Sequence, residues 1–450
     1  MTARPLLHGW TAQAAYERRD VGWPAFATAD GVEIYDEDGI AYLDARSLMC
    51  NVSFGHGARE VLQAAIEQMQ QLACGPTLDG QSNAAADRFA ADLLDAVPMP
   101  FSHVYLSLSG TAACEAAIVL ARLHHRLQGR PDKRHILSLT SGFHGQSIGM
   151  SGISGYSPLW EVMDRPDIGG VRVPGPHCYR CPWDRRPETC CLECAEAVVA
   201  RIRELGGETI AAMMIEPVQG AVVQAPPPGY FARLRQVLRD NDILLIADEA
   251  ITGFGRVGAP FASQLYDLQP DILCLAKAMT NGVLPIAATL ASETVMAPIL
   301  SADQVLPFGS TQDGNPVCAA AGSATLALFR KQDWAERARR MGSYLAERLR
   351  SELAPCMIFG ELRQVGLMLA IELVEDRTTR RPLGQATRLH RALKAQKLLV
   401  NVVGGTLIVA PPLILEEIEA DEIVRRLVAV VRALDLPVAE MAGGGQTVEA

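Results

Sequence analysis

Two charged residues, Asp248 and Lys277, each close an apolar run that lacks polar alternation, residues 243–247 before the first and 272–276 before the second. Such a run reads as a strand buried on both faces. Each charge then stands at the carboxyl end of a core strand, where an unpaired lysine is costly. A lysine that holds an aldehyde covalently, with an aspartate that keeps a ring nitrogen protonated, is the pairing that pyridoxal phosphate requires. The plainer alternative is an aspartate that caps a turn and a lysine solvated at a strand end.

Other short polar segments also follow buried runs. Strand 104–108 leads into Ser109, Gly110 and Thr111 at the start of a helix to about residue 127. Unpaired amides backed by a helix dipole make a phosphate seat there, or the residues simply cap the helix. Strand 135–140 leads into Phe143 and His144, an aromatic suited to stack on a flat ring or to fill core. Strand 211–215 ends in Glu216, and a further strand is expected at 286–291.

At least six strand-to-helix steps between residues 100 and 290 predict an α/β fold, a mostly parallel sheet with helices on both faces. Ligands bind beyond the carboxyl ends of such strands, where all these residues gather. Residues 1–60 begin with a hairpin around the DG turn of GVEIYDEDGIAYLD. They are expected to join residues 326–440 in a small α+β domain beside a large domain at 61–325. Residues 441–450 have little to bury and are expected to be a disordered tail.

The chain has 450 residues and a net charge of −10, which argues against binding nucleic acid or an anionic membrane. Neither a secretion signal nor a membrane span is expected, which leads to a cytoplasmic assignment. The eleven cysteines include Cys178, Cys181, Cys190, Cys191 and Cys194. Their two CxxC pairs suit tetrahedral zinc or an iron–sulfur cluster, and equally free or paired thiols; no metal is assigned.

With these residues in place, the chain resembles the class III, or omega, aminotransferases of the fold type I pyridoxal phosphate enzymes, from about residue 25 to 435. The resemblance rests on SGTAACEA at 109–116, GFHG at 142–145, EPVQG at 216–220, ADEAITGFGR at 247–256, LAKAMTNG at 275–282 and STQDGNPVCAAAG at 310–322. It implies Lys277 as the Schiff-base lysine, Asp248 on the ring nitrogen, Phe143 stacked on the ring and Ala250 beneath it. It implies Ser109, Gly110 and Thr111 on the phosphate, with His144 nearby. Ser310 and Thr311 would reach the site of a second subunit, so a homodimer sharing its active sites is implied.

The resemblance further implies that Arg363 grips a substrate carboxylate and that Glu216 pairs with it when no carboxylate is present. Ala112 and Cys114 depart from the glutamate and asparagine usual in the family, and Asn401 stands where some amine-preferring relatives carry arginine. The expected reaction moves an amino group between a glutamate-like donor and a carbonyl not adjacent to a carboxylate. An amino sugar of aminoglycoside antibiotic biosynthesis is the favoured substrate, and epimerisation at an amine-bearing carbon is the alternative.

Overall fold

The computed structural model describes residues 6–11 and 22–435. The expected tail at 441–450 lies outside the described residues. The chain divides into two compact units.

The larger unit comprises residues 50–54 and 58–339. The smaller unit comprises residues 1–49, 55–57 and 340–450. In the smaller unit, β1 (Phe26–Asp30), β2 (Glu33–Asp36) and β3 (Ala41–Asp44) form an antiparallel meander. The DG turn closes as its composition requires: Asp36 Oδ1 accepts the amides of Asp38 and Ile40, and Gly39 takes φ 74°.

The larger unit is built on one sheet. Its strands are β4 (Phe101–Ser107), β5 (His135–Leu139), β6 (Gly170–Val173), β7 (Ile210–Ile215), β8 (Leu244–Asp248), β9 (Ile272–Leu275) and β10 (Ala287–Ser292), in the spatial order β4-β10-β9-β8-β7-β5-β6. β5 through β9 pair in parallel, and every residue of β7, β8 and β9 is buried. β10 runs antiparallel to both β4 and β9. The segment between β9 and β10 holds only the short turn Lys277–Thr280, and a parallel return needs a longer crossover. Helix Gly110–Leu127 packs its small and aliphatic face, Ala113, Ala117, Leu120 and Ala121, against β7, β8 and β9 residues in the main core.

Two buried basic side chains, Lys133 and His125, test how this core handles charge. The Lys133 ammonium donates to the carbonyls of Gly207, Ile210, Asn241 and Asp242 at 2.7–3.1 Å, so four acceptors replace its water shell. His125 is fully buried, with Nε2 2.9 Å from the Ala211 carbonyl and Nδ1 without a partner. Burial pulls its pKa from 6.5 down to about 4. The unfolded chain therefore binds a proton that the folded chain refuses between those values. Stability from this site is complete above about pH 6.5 and falls as pH drops toward 4, by at most about 3 kcal/mol. Urea titrations at pH 7 and 4.5 should show a smaller acid-induced loss for His125→Gln than for the parent; equal losses would refute the assignment.

In the smaller unit, β11 (Phe359–Val365), β12 (Met368–Asp376), β15 (Asn401–Val403) and β16 (Thr406–Val409) form an antiparallel sheet, with β13 (Arg381–Pro382) paired to β12. β14 (Leu398–Leu399) pairs in parallel with β3. Among the described residues, no helix is long and apolar enough to cross a membrane.

Candidate active site

The ends of β4, β5, β7, β8 and β9 supply the site residues of the larger unit. β8 delivers Asp248 in register with Cys274 of β9, three positions before Lys277. Lys277 is half-buried and starts the turn Lys277–Thr280 with φ 48°, a left-handed value that L-residues adopt at a cost.

Asp248 is 6% exposed. Its Oδ2 lies 2.9 Å from His144 Nδ1 and accepts the Cys114 thiol at 3.4 Å, while Oδ1 accepts the Ala250 amide at 3.2 Å. Burial alone pushes the carboxyl up, but the His144 hydrogen bond and charge, then Lys277 and the Ala250 amide, hold it below the ordinary aspartate value. Burial likewise pulls His144 down, and the bond to Asp248, its charge and that of Glu216 together raise it in net. Asp248 therefore remains an anion at neutral pH despite its burial.

The loop bearing Phe143 and His144 is clamped from several sides. Ser154 accepts the His144 amide at 3.0 Å and donates to the Gly145 carbonyl at 3.1 Å. Gly145 takes φ 122°, and a Cβ there would meet the Thr111 hydroxyl at 2.6 Å, so glycine lets this loop lie against the start of the helix. Phe143 is half-buried with its ring centroid 5.9 Å from that of Tyr156. Tyr156 is a second aromatic at this site that no sequence pattern distinguished from core.

At the helix start, Ser109 Oγ accepts the Ala112 amide at 3.2 Å, and the Ser109 carbonyl accepts the Ala113 amide at 2.9 Å. The amides of Gly110 and Thr111 remain as donors for an anion. A Cβ on Gly110 would lie 3.3 Å from Ala276 Cβ and 3.7 Å from Ala250 Cβ. The helix start, the β8 end and the β9 end thus converge on one small-residue cradle. Cys114, noted in the sequence only as a departure, is the buried thiol beneath Asp248.

Glu216 is also at the strand ends, but both its oxygens hold backbone: Oε1 accepts the Phe143 amide at 2.9 Å and Oε2 the Gly220 amide at 2.8 Å. Burial, first among its influences, raises its pKa. Asp313 Oδ2 accepts the Tyr105 hydroxyl at 2.6 Å and the Ser310 amide at 2.8 Å, which pins the loop that leaves Thr311 exposed.

Arg363 belongs to the smaller unit. Its guanidinium is 2.8 Å from Glu361 and 2.8 Å from Glu372. The acids paired with Arg363 here are Glu361 and Glu372, and Glu216, the acid the resemblance pairs with it, holds backbone amides instead.

In the cysteine segment, Cys194 is buried near Cys190 and Cys178, and burial first raises its thiol to about 12. Among the described residues, the grouping whose ligand atoms all lie within 4.8 Å is Cys114, His144 and Asp248. Its donors are already bonded to one another around Asp248, an arrangement that supports a protonated ring nitrogen.

The site fits pyridoxal phosphate on its own geometry: a buried anion for the ring nitrogen, a lysine just past the end of the neighbouring strand, an aromatic wall and a helix start for phosphate. The family model for aminotransferase class-III matches residues 16–431. The chain belongs to the class-III aminotransferase family. Its cofactor is pyridoxal 5'-phosphate, and it acts as an omega-type aminotransferase on amine and carbonyl substrates.

The chain is 31% identical over 402 residues to a putrescine–pyruvate aminotransferase of Pseudomonas aeruginosa, covering 88% of each. It is 30% identical over 433 residues to a diaminobutyrate–2-oxoglutarate transaminase of Halomonas elongata, covering 93% of this chain and 92% of that one. Among solved structures, an amine transaminase from an uncultivated Pseudomonas species, with pyridoxal phosphate bound, superposes on this class-III aminotransferase with a TM-score of 0.91. The two share 33% identity, with 96% of this chain and 99% of that one covered.

Proposed function

We propose that this aminotransferase moves nitrogen between a carboxylate-bearing partner of the glutamate or keto-acid kind and a primary amine whose nitrogen-bearing carbon carries no carboxylate. The observation that carries the reading is that Arg363, the residue expected to grip a carboxylate, is already paired with Glu361 and Glu372. The partners in the printed name of one relative, putrescine with pyruvate, are of this mixed kind.

When bound, pyridoxal phosphate supplies an aldehyde for the amine and a ring that accepts an electron pair. The remaining tasks fall to side chains. Lys277 would hold the aldehyde and, on its flexible stem, could move a proton. Asp248, kept anionic by His144, holds the ring nitrogen protonated. Phe143 and Ala250 would flank the ring, and Ser109, Gly110 and Thr111 would hold the phosphate. Thr311, exposed on its pinned loop beside Ser310, serves the phosphate of a second copy in a homodimer.

A half-reaction panel tests the substrate reading through the visible absorbance of the bound cofactor. Glutamate or alanine, and also diamines or amino sugars, should each convert it. Reaction with α-amino acids alone would overturn the reading.

A further inference from the structure

The outer edge of the large sheet carries a group of arginines that amino transfer does not use. β6 is the edge strand, and a cleft of about 360 Å³ beside it is lined by Thr140, Arg165, Gly170, Val171, Arg172 and Arg201. Arg172 lies on β6, Arg165 in the segment before it and Arg201 on the helix Glu193–Leu205. All of these residues belong to the larger unit, and none of them is shared with the seat at Ser109, Gly110 and Thr111.

Three guanidiniums around one cleft repel one another unless anions intervene. Few acids do so here. Arg201 Nη1 pairs with Glu204 at 2.6 Å, an acid whose side chain is 66% exposed. Asp167 favours the charge on Arg165, while burial first and then Arg172 act against it. Arg172 is half-buried and pairs with no acid among the described residues. Its Nη1 donates to the Gly155 carbonyl at 3.1 Å, and its guanidinium carbon lies 4.4 Å from the centroid of the Trp160 ring. Arg165 also holds backbone: Nε donates to the Gly152 carbonyl at 3.2 Å, and Nη2 to the carbonyls of Gly152 and Gly170 at 2.5 and 3.0 Å. Carbonyls satisfy these donors and leave the positive charge uncompensated.

The arginines are held in place by a rigid part of the fold. The carbonyls that receive Arg165 and Arg172 include those of Gly152 and Gly155, on either side of Ser154, which accepts the His144 amide. Trp160 is fixed in turn, its Nε1 donating to the Ser151 carbonyl at 3.0 Å. Guanidiniums set before a ligand arrives spare part of the ordering cost of binding.

A carboxylate has two oxygens and is filled by a single arginine fork. A phosphate group brings three oxygens and up to two charges, enough for arginines from two elements to share. The volume of the cleft lies in the range of small-molecule sites.

We propose that this cleft binds the phosphate group of a small anion, with Arg172 and Arg201 as its ligands and Arg165 as a fixed positive wall.

The test uses holoenzyme, in which the seat at Ser109, Gly110 and Thr111 is already taken by the cofactor phosphate, and follows binding by titration calorimetry at low ionic strength. Diphosphate and glycerol 3-phosphate are the probes, with citrate for comparison. For each phosphate probe that binds the parent, Arg172→Gln and Arg201→Gln should each raise Kd about 10- to 100-fold, the scale of a lost charge-assisted hydrogen bond. Glu204→Gln, which removes the competing acid, should lower Kd. Arg201 is half-buried and its ion pair is with an exposed acid, so Arg201→Gln should fold as the parent does and keep amino transfer within about twofold. It covers the case in which Arg172→Gln does not fold.

Binding of glycerol 3-phosphate would assign the site to a phosphorylated molecule, and binding of diphosphate alone would assign it to the inorganic ion; either supports the site. No binding of either phosphate probe to the parent, an unchanged Kd in the arginine variants, or citrate bound as tightly as the phosphate probes would overturn the proposal.

Discussion

Lys277→Ala is expected to abolish amino transfer, with kcat/KM down by at least about 10⁴-fold, because one substitution removes both the covalent anchor and the proton carrier. The fold should survive. Lys277 is half-buried at the start of a turn, and its positive φ is a strain that alanine inherits without new clashes. The purified variant should lose the visible band of covalently held cofactor, while its circular dichroism and melting profile stay close to those of the parent. Residual transfer within about tenfold of the parent, or an unchanged visible band, would mean that another amine holds the cofactor.

Asp248→Asn should retain the lysine linkage yet lower kcat about 10²- to 10³-fold, the usual cost of removing one preorganised electrostatic partner at a reacting centre. The amide still receives the Cys114 thiol and lies near His144, so packing changes little. What disappears is the negative charge that keeps a proton on the ring nitrogen. His144 supplies an independent readout. Burial pulls its pKa down and the Asp248 bond and charge raise it, so the substitution leaves burial dominant and the imidazole should titrate lower, as followed by its ring-proton NMR signals. Unchanged His144 titration together with unchanged kcat would remove Asp248 from its assigned task.

The parts of this site readable from sequence are those in which one local pattern does two jobs. In residues 243–248 and 272–277 the uninterrupted apolar run identifies the strand, and the charge that ends it identifies what the strand delivers. Ser109 to Thr111 are legible for the same reason, since hydroxyl and glycine residues between a strand and a helix mark the helix start. Direction is not carried by such patterns. β10 is as apolar as its parallel neighbours, and only its connection through Lys277–Thr280 reverses it. The edge strand Gly170–Val173 is short and contains both glycine and arginine, so it shows no strand period.

Charges whose partners are distant in the chain were the least legible. Nothing in LRQVGL says that Arg363 is held by Glu372 as well as by Glu361, because the pairing is set by the antiparallel register of β11 and β12. Arg46 Nη1 donates to Asn401 355 positions away, and no local pattern ties the ARS triplet to the NVV strand. His144 was readable as a strand-end histidine, but its bond to Asp248 emerges only when β5 and β8 are brought into one sheet.

The central claim is that Lys277 and Asp248 hold opposite ends of one pyridoxal phosphate. Hydride reduction of the holoenzyme, followed by peptide mapping, tests it most directly by fixing the cofactor to whichever lysine carries it. A pyridoxyl group on Lys277 and on no other lysine is the predicted result, with none recovered from Lys277→Ala treated alike. Modification of a different lysine, or a cofactor that washes away unreduced, would contradict the account.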